Sequence, residues 1–406
     1  MALFCLSTVL IVITALNILI CRRIYAPPII IGAVFLFSYL CIELAYGKLE
    51  NGYWFYGCYV LAVCFFSVGF YLVQRKSEGR ICLNSEAFSF VDRKYLVLKS
   101  IAYLSAAGQI CLIIPVIIKT YDGNLWSTVR EHYSGNAVAA LMSLYVQVLV
   151  FVSFYLYIVN NTPKNRRRFL EILPCLLPFM LVTHRGEWFM VIITLTFEWL
   201  IGKRISNIKA IKCGFLVVIA LVVLIAISSI WKFRNDFSSN KALFESILRM
   251  YFSTQYVAFR ERMTNEPIFL YGQNTFRFVI AVLYKLGITK TVPVNTIQNF
   301  VEIYGYDTNV YTGLSYYAMD FGMWWAYVVE FLLGVLYGAL YRKSFSKERT
   351  SVFSIVALSM LMYPLINQFF DDKYLSICSQ WLKYMIFLWL ITRNRILQNH
   401  HEDRSE

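Results

Sequence analysis

Charged residues are scarce in this sequence. Only 15% of its 406 residues are Asp, Glu, Lys or Arg, whereas 59% are apolar. A soluble protein of this length needs a polar surface, which such a composition does not supply. Apolar runs of about 20 residues recur along the chain, and each is long enough to cross the roughly 30 Å hydrocarbon core of a bilayer. The sequence therefore predicts an all-α polytopic integral membrane protein that is embedded in a lipid bilayer.

The usual motifs for metals and for secretion are also missing. The ten cysteines stand singly, without CxxC or zinc-ligand spacing, so they indicate packing between helices. The first apolar run lacks a basic n-region and reaches Ile20 before Arg22 and Arg23, which does not match a cleavable signal. The sequence predicts neither a metal nor a cofactor.

Basic residues between the apolar runs predict which side of the membrane each loop faces. With loops assigned to alternating sides, the short loops of one side carry 23 Lys and Arg, against six on the other. By the positive-inside rule, the N-terminus lies outside and the C-terminus is cytoplasmic. The net charge of +14 then reflects membrane anchors, which argues against nucleic-acid binding. The eleven predicted spans are 2–20, 27–46, 53–73, 98–118, 138–159, 169–183, 187–201, 212–230, 323–341, 351–370 and 376–392.

This topology divides the chain into four parts, which are helices 1–8 over 1–230, a large external loop over 231–322, helices 9–11 over 323–392 and a cytoplasmic tail over 393–406. The longest cytoplasmic loop, 74–97, contains neither GxxxxGK[ST] nor DxD. Chemistry driven by ATP or a nucleotide sugar on the inner face is therefore disfavoured.

Two ionisable residues stand at a junction between short spans. Residues 169–201 could form one helix, but 33 residues would extend about 50 Å, well beyond the membrane. Two short helices that meet near Arg185 and Glu187 keep the basic residues at both ends in the cytoplasm. Ionisable groups at such a junction are costly and commonly functional. The alternative is an external turn in which the charges are neutralised by local pairing.

The large external loop contains further candidate cations. Residues 241–262 have apolar positions at steps of three and four, which predicts an amphipathic helix. Arg249 and Arg260 lie about three turns apart on it and share a face. They form either the headgroup-facing stripe of an interfacial helix or a pair that binds a diphosphate. Residues 275–286 are apolar but too short to span, so they predict an interfacial or re-entrant helix that turns Arg277 towards polar surroundings.

Aromatic and acidic residues complete the set of candidates. About twenty aromatic side chains in the external loop suit either membrane anchoring or stacking against sugar rings. Asp320 precedes the ninth span, where it either stabilises a helix N-terminus or acts as the general base towards a sugar hydroxyl. Asn309 and Tyr316, in the same segment, are candidates for orienting sugar hydroxyls. His132, in another outer loop, is either an ordinary exposed histidine or a weak candidate for the base.

Four stretches of the sequence resemble the Wzy-type O-antigen polymerases. They are YFSTQYVAFRER, YGQNTFRF and NVYTGLSYYAMDFG in the external loop, together with THRGEW at 183–188. The resemblance implies a glycosyltransferase of the bacterial inner membrane that acts on its periplasmic side. Its substrate would be an oligosaccharide carried on undecaprenyl pyrophosphate, and a flippase and a chain-length regulator of the same pathway are the implied partners.

Two other functions remain open at this point. An O-antigen ligase shares the large outer loop and the lipid-linked donor, but transfers the glycan to the lipid A core. A lipid-linked oligosaccharide flippase belongs to a different class, and we expect it to have basic residues in a central cavity and no external loop of about 90 residues. The length of the external loop favours the two enzymes, and the NVYTGLSYYAMDFG stretch favours the polymerase.

Overall fold

A computed structural model describes most of the chain. The described residues are 2–46, 53–74, 92–119, 136–182, 185–233, 249, 252–265, 269–295, 300–303, 306–345 and 351–393. Helices dominate this part of the protein. Of the candidate residues, His132 lies outside the described residues, and the same is true of the side chain of Arg185.

The helices follow the apolar runs of the sequence. In chain order they are α1 (Ala2–Cys21), α2 (Pro27–Tyr46), α3 (Tyr53–Gln74), α4 (Asp92–Lys119), α5 (Ala137–Val159), α6 (Pro163–Ile172), α7 (Leu177–Val182), α8 (Arg185–Gly202), α9 (Asn207–Phe233), α10 (Thr254–Asn265), α11 (Arg277–Lys285), α12 (Gly313–Phe321), α13 (Met323–Ser344), α14 (Val352–Asn367) and α15 (Cys378–Thr392). A short antiparallel hairpin joins β1 (Val301–Ile303) to β2 (Tyr306–Thr308), with Val301 opposite Thr308.

Each of the eleven predicted spans coincides with helical residues, so the prediction of an all-α polytopic membrane protein is confirmed. Within the described residues, five helical segments are long and apolar enough to cross a membrane, and they are Pro27–Leu44, Tyr56–Gln74, Asp92–Val116, Ala137–Val159 and Met323–Ser344. Large apolar side chains remain exposed on several helices, for example Ile208 and Phe215 of α9, at 71% and 67%. Lipid is the solvent that such surfaces require.

The sixth predicted span is broken into three pieces. Between α6 and α7 the chain forms a 3₁₀ turn, Leu173–Leu176. Pro174 and Pro178 explain the break, because proline lacks the N–H that an α-helical hydrogen bond needs. Helix α8 begins at Arg185, and residues 183–184, where the two short helices are predicted to meet, lie outside the described residues.

The chain divides into two compact units. The first contains 1–76, 206–342 and 364–379, and the second contains 77–205, 343–363 and 380–406. The external-loop candidates and Asp320 therefore belong to the first unit, whereas Arg185 and Glu187 belong to the second.

Helices α3 and α13 of the first unit are in direct backbone contact. A Cβ atom added to Gly69 would lie 2.1 Å from the carbonyl oxygen of Phe331, and one added to Gly334 would lie 2.1 Å from that of Phe66. One turn further along α13, a Cβ at Gly338 would lie 2.5 Å from a backbone oxygen of α3. The GxxxG spacing of α13 thus permits the close approach that membrane helices use in place of hydrophobic burial.

Contacts in the first unit join segments that the predicted topology places on one side. Asn207 donates from Nδ2 to the Arg22 carbonyl oxygen at 3.0 Å, and both lie in predicted cytoplasmic turns. Ser253, in the predicted external loop, donates to the carbonyl oxygen of Cys41 at 3.1 Å near the outer end of α2. These contacts support the predicted alternation of sides.

The orientation of the chain can be tested with fusions. We expect alkaline phosphatase to be active when fused after Asn240 and inactive when fused after Asn394, because the enzyme matures only outside the cytoplasm. A fusion after Asn161, in a predicted cytoplasmic loop, serves as a second inactive control. The reverse pattern of activities would contradict the topology and the external position of the candidate site.

Candidate functional site

Helix α12 is the centre of the candidate site. It contains most of the NVYTGLSYYAMDFG stretch, and every residue from Gly313 to Asp320 is buried. The helix ends at Gly322, whose φ of +84° is readily adopted by glycine, and α13 begins at the next residue. A short helix with tyrosines and an acid on it is thereby enclosed by other segments of the first unit.

Asp320 holds a turn of the external loop against α12. Its Oδ1 accepts a hydrogen bond from the Asn274 backbone N–H at 3.0 Å. Its Oδ2 accepts from both the N–H and the hydroxyl of Thr275, each at 2.6 Å. The carboxylate belongs to the last turn of α12 and binds the turn before α11, rather than the N-terminus of α13 that the sequence suggested as one alternative.

Two side chains add to the connection between α12 and this turn. The amide of Asn274 donates to the backbone oxygen of Tyr316 at 3.0 Å. The indole N–H of Trp325 donates to the Thr275 hydroxyl at 3.0 Å. The turn is therefore bonded through its backbone and through its side chains, which fixes the start of α11.

The opposite part of α12 packs against the loop that follows α14. The Tyr317 hydroxyl donates to Asp372 Oδ1 at 2.7 Å, and the neighbouring Tyr316 lies close enough to Asp371 to interact with it electrostatically. Burial and the adjacent Asp371 raise the pKa of Tyr316 well above its ordinary value, so its hydroxyl remains a donor. Two neighbouring tyrosines of α12 therefore interact with two neighbouring aspartates of this loop.

Asp372 is a structural acid of this loop. Besides Tyr317, it accepts hydrogen bonds from the backbone N–H groups of Tyr374 and Ser376, each at 2.8 Å. Burial raises the pKa of Asp372, while these three donors act in the opposite direction. The carboxylate orders the chain between α14 and α15 and holds it against α12.

A second buried acid lies on α13 nearby. Glu330 is fully buried, and its Oε1 accepts from the Gln368 amide at 2.9 Å. The backbone oxygen of the same glutamine accepts from the N–H of Gly313 at 2.8 Å, so Gln368 links α13 to α12. Glu330 Oε2 and Gln368 Oε1 have no hydrogen-bond partner within the described part of the chain. An ionisable group in a membrane helix is costly and usually retained for function.

The predicted cations have different surroundings. Arg260 pairs with Glu261 at 2.6 Å and is 11% exposed. Arg277 donates to two carbonyl oxygens, those of Val294 at 2.7 Å and Ser376 at 3.3 Å. Arg277 therefore connects the predicted external loop to the chain after α14.

Three further cations lie in the first unit. One is Arg249, and the others are Arg262 and Lys373, which the sequence pattern did not indicate. Arg249 is half-buried, and its backbone oxygen accepts from the hydroxyl of Thr254 at 2.7 Å, just before α10. The guanidinium of Arg262 lies 5.3 Å from the centroid of the Tyr311 ring. Lys373 pairs with Asp371 at 2.5 Å. Lys373 therefore places positive charge beside Asp371, and Arg262 places it beside Tyr311.

Helix α10 is embedded in the first unit, which its amphipathic pattern did not indicate. All side chains from Ser253 to Phe259 are buried. The ring of Tyr256 packs 4.9 Å from that of Tyr59 in α3, and Phe252 stacks on Phe369 after α14. By contrast, no residue of α11 is buried, and its interfacial position stays a prediction.

Glu187 has its own network in the second unit. Its Oε2 accepts from the Gln147 amide at 3.0 Å and from the Ser143 hydroxyl at 3.4 Å. Gln147 in turn accepts a hydrogen bond from the Tyr384 hydroxyl. The two donors to Glu187 are neutral groups of α5, so they bind its carboxylate without the charge neutralisation considered for this junction. Asn309 is half-buried between β2 and α12.

Sequence reasoning missed the acids at Asp371, Asp372 and Glu330. Two signals were present, namely paired acids directly after the tenth span and a single acid within the ninth. No group of three or more His, Cys, Asp or Glu that could hold a metal occurs among the described residues.

Comparison with known proteins identifies a relative over most of the chain. The protein is similar to an O-antigen polymerase of Shigella dysenteriae, with 25% identity over 342 residues, which is 82% of each chain. No protein-family model matches the chain. No solved structure matches it. The resemblance to the O-antigen polymerases that the loop motifs indicated is confirmed by the similarity to the Shigella protein.

Proposed function

We propose that this protein is an O-antigen polymerase of the bacterial inner membrane. It joins oligosaccharide repeat units carried on undecaprenyl pyrophosphate, and it does so at the periplasmic face. The observation that carries the proposal is the similarity to the Shigella dysenteriae polymerase over 82% of both chains. The all-α membrane fold and the polar site around α12, on a predicted external segment, support it.

The proposed reaction needs cations for the diphosphate, polar and aromatic side chains for the sugars, and a general base. A hydroxyl of one lipid-linked unit attacks the anomeric carbon of another glycan, whose polyprenyl diphosphate leaves. Cations stabilise that leaving group, because guanidinium forks match phosphate oxygens. Arg249 and Arg260 of the first unit are proposed for this role. Arg185 of the second unit is proposed separately as a cation that binds lipid-linked substrate. Arg277, which is bonded to two carbonyl oxygens, is proposed as a residue that positions the loop.

The sugars need polar and aromatic contacts. Tyr316 and Asn309 are proposed to border the acceptor site, next to the rings that surround α12. Glu187 and His132 are proposed as alternative candidates for the general base. A flippase that delivers the lipid-linked units and a chain-length regulator are the proposed partners.

The function can be tested by deleting the gene and examining the lipopolysaccharide. A strain without the polymerase should produce lipid A core that carries a single repeat unit, because each unit is still ligated but none is extended. The plasmid-borne gene should restore the full ladder. Bare core with accumulated lipid-linked polymer would instead identify a ligase. Loss of all repeat units from the outer face would indicate a flippase.

A further inference from the structure

Of the four acids on α12, on α13 and in the loop after α14, one is more exposed than the others. Asp371 lies in the loop after α14, and 21% of its side chain is exposed. Asp320 and Glu330 are fully buried, and Asp372 is 2% exposed. A group that exchanges a proton with a substrate has to be reachable from the site that the substrate enters.

The hydrogen bonds separate these acids further. Both oxygens of Asp320 are occupied by donors from the turn before α11. Those of Asp372 are occupied by Tyr317 and two backbone N–H groups. Glu330 stands inside the membrane helix α13. Each of these three carboxylates is therefore committed to the fold or shielded from the external surface.

Asp371 is oriented by side chains rather than by backbone groups. Tyr316 of α12 lies close enough to interact with its charge. The ammonium group of Lys373 lies 2.5 Å from its Oδ2 and is itself 30% exposed. Arg262 packs on the ring of Tyr311, which is itself close enough to affect the ionisation of Tyr316. A carboxylate in a polar, aromatic and cationic setting at the external surface suits a sugar acceptor beside a diphosphate donor.

We propose that Asp371 is the catalytic base of the glycosyl transfer, an inference that rests on the proposed function. The acceptor oxygen forms a bond to the anomeric carbon of the donor as the bond from that carbon to the diphosphate oxygen breaks. The electron pair of the broken bond leaves with the polyprenyl diphosphate. The hydroxyl proton passes to a carboxylate oxygen of Asp371 and then to water, which restores the ionised aspartate. The ion pair with Lys373 holds the carboxylate in place.

The test measures polymerisation by purified protein. The probe is a lipid extract from a strain that lacks both this gene and its O-antigen ligase, so that single repeat units accumulate on their lipid carrier. Rates are measured on the monodisperse size-exclusion fraction of each detergent-purified variant. We expect kcat to fall by about 10²–10⁴-fold in Asp371→Asn with little change in KM, because asparagine cannot take a proton. Asp371→Glu, which retains the carboxylate, should recover at least about tenfold of that loss.

A matched control separates this role from a general effect of charge. Glu302 is an exposed acid on β1, in the large external loop that is predicted to lie on the same side of the membrane as Asp371, and Glu302→Gln should polymerise at the wild-type rate. An Asp371→Asn rate within about threefold of wild type would overturn the inference, and so would loss of the monodisperse fraction, which would indicate a structural role. If wild-type protein does not extend the extracted units, the proposed function itself fails. An active wild type beside an unaffected Asp371→Asn overturns only the assignment of the base.

Discussion

Asp320→Asn is expected to destabilise the protein by about 3 kcal/mol. Three donors converge on the two carboxylate oxygens of this buried residue, two from Thr275 and one from Asn274. An asparagine amide has one acceptor oxygen, and its NH₂ group would face an N–H donor. A buried donor then loses its partner, and the turn before α11 separates from α12. The measurement is the temperature at which half of the monodisperse size-exclusion peak is lost, which should fall.

Two variants make the result interpretable. Thr275→Val removes the hydroxyl that donates to Asp320 and accepts from Trp325, and it keeps the backbone N–H. It should cost about 2 kcal/mol, less than Asp320→Asn. Asp371→Asn makes the same chemical change on a partly exposed carboxylate and should leave the stability near that of wild type. An Asp320→Asn protein with unchanged stability that yields only single-repeat product would contradict a structural role. It would favour Asp320 as the general base, the alternative that the sequence left open.

Gly334→Ala is expected to destabilise the first unit by about 3 kcal/mol, because the added methyl group has no room. A Cβ at this position would lie 2.1 Å from the Phe66 carbonyl oxygen, and backbone atoms cannot rotate away as a side chain can. The contact can be relieved only by moving α13 away from α3. The ring of Tyr337 would then separate from that of Phe66, with centroids now 5.5 Å apart. The yield of monodisperse protein and its melting temperature should both fall.

The same substitution elsewhere in the first unit provides the control. A Cβ added to Gly214, in α9, meets no atom within 4 Å. Gly214→Ala should therefore be neutral or stabilising by up to about 1 kcal/mol, because alanine is the better helix former. Gly69→Ala, on the other side of the α3–α13 contact, should behave like Gly334→Ala. Equal stability of the Gly334 and Gly214 variants would contradict the close packing of the two helices.

The membrane fold could be predicted from sequence because its signal is local. A run of apolar residues reports its own length, and loop charges report sides, so the helices appear where the hydropathy predicts them. The surroundings of Asp320 could not be predicted in this way. Its partner Thr275 stands 45 residues earlier. The local sequence pattern does not show whether Asp320 caps a helix, acts as a base or accepts hydrogen bonds from a distant turn.

The acids of the α12 site were missed for a related reason. Asp371 and Asp372 stand in a short connection between two spans, which topology analysis treats as a link and nothing more. Glu330 is one acid in a helix of 22 residues and does not interrupt its apolar character. The burial of α10 was hidden as well, because a three- and four-residue pattern indicates one buried face, whereas neighbouring helices cover its other sides too.

The embedding of α12 limits how such a protein could diversify. Tyr317 of α12 is bonded to Asp372 in the loop after α14, and Arg277 of α11 is bonded to Ser376 in the same loop. A recombination event that exchanged the external segment alone would import Tyr317 and Arg277 and leave their two partners behind. The segment is thus not a cassette that can be transplanted between relatives. New glycan preferences would have to arise by stepwise substitution within an inherited frame, or by joint replacement of both segments.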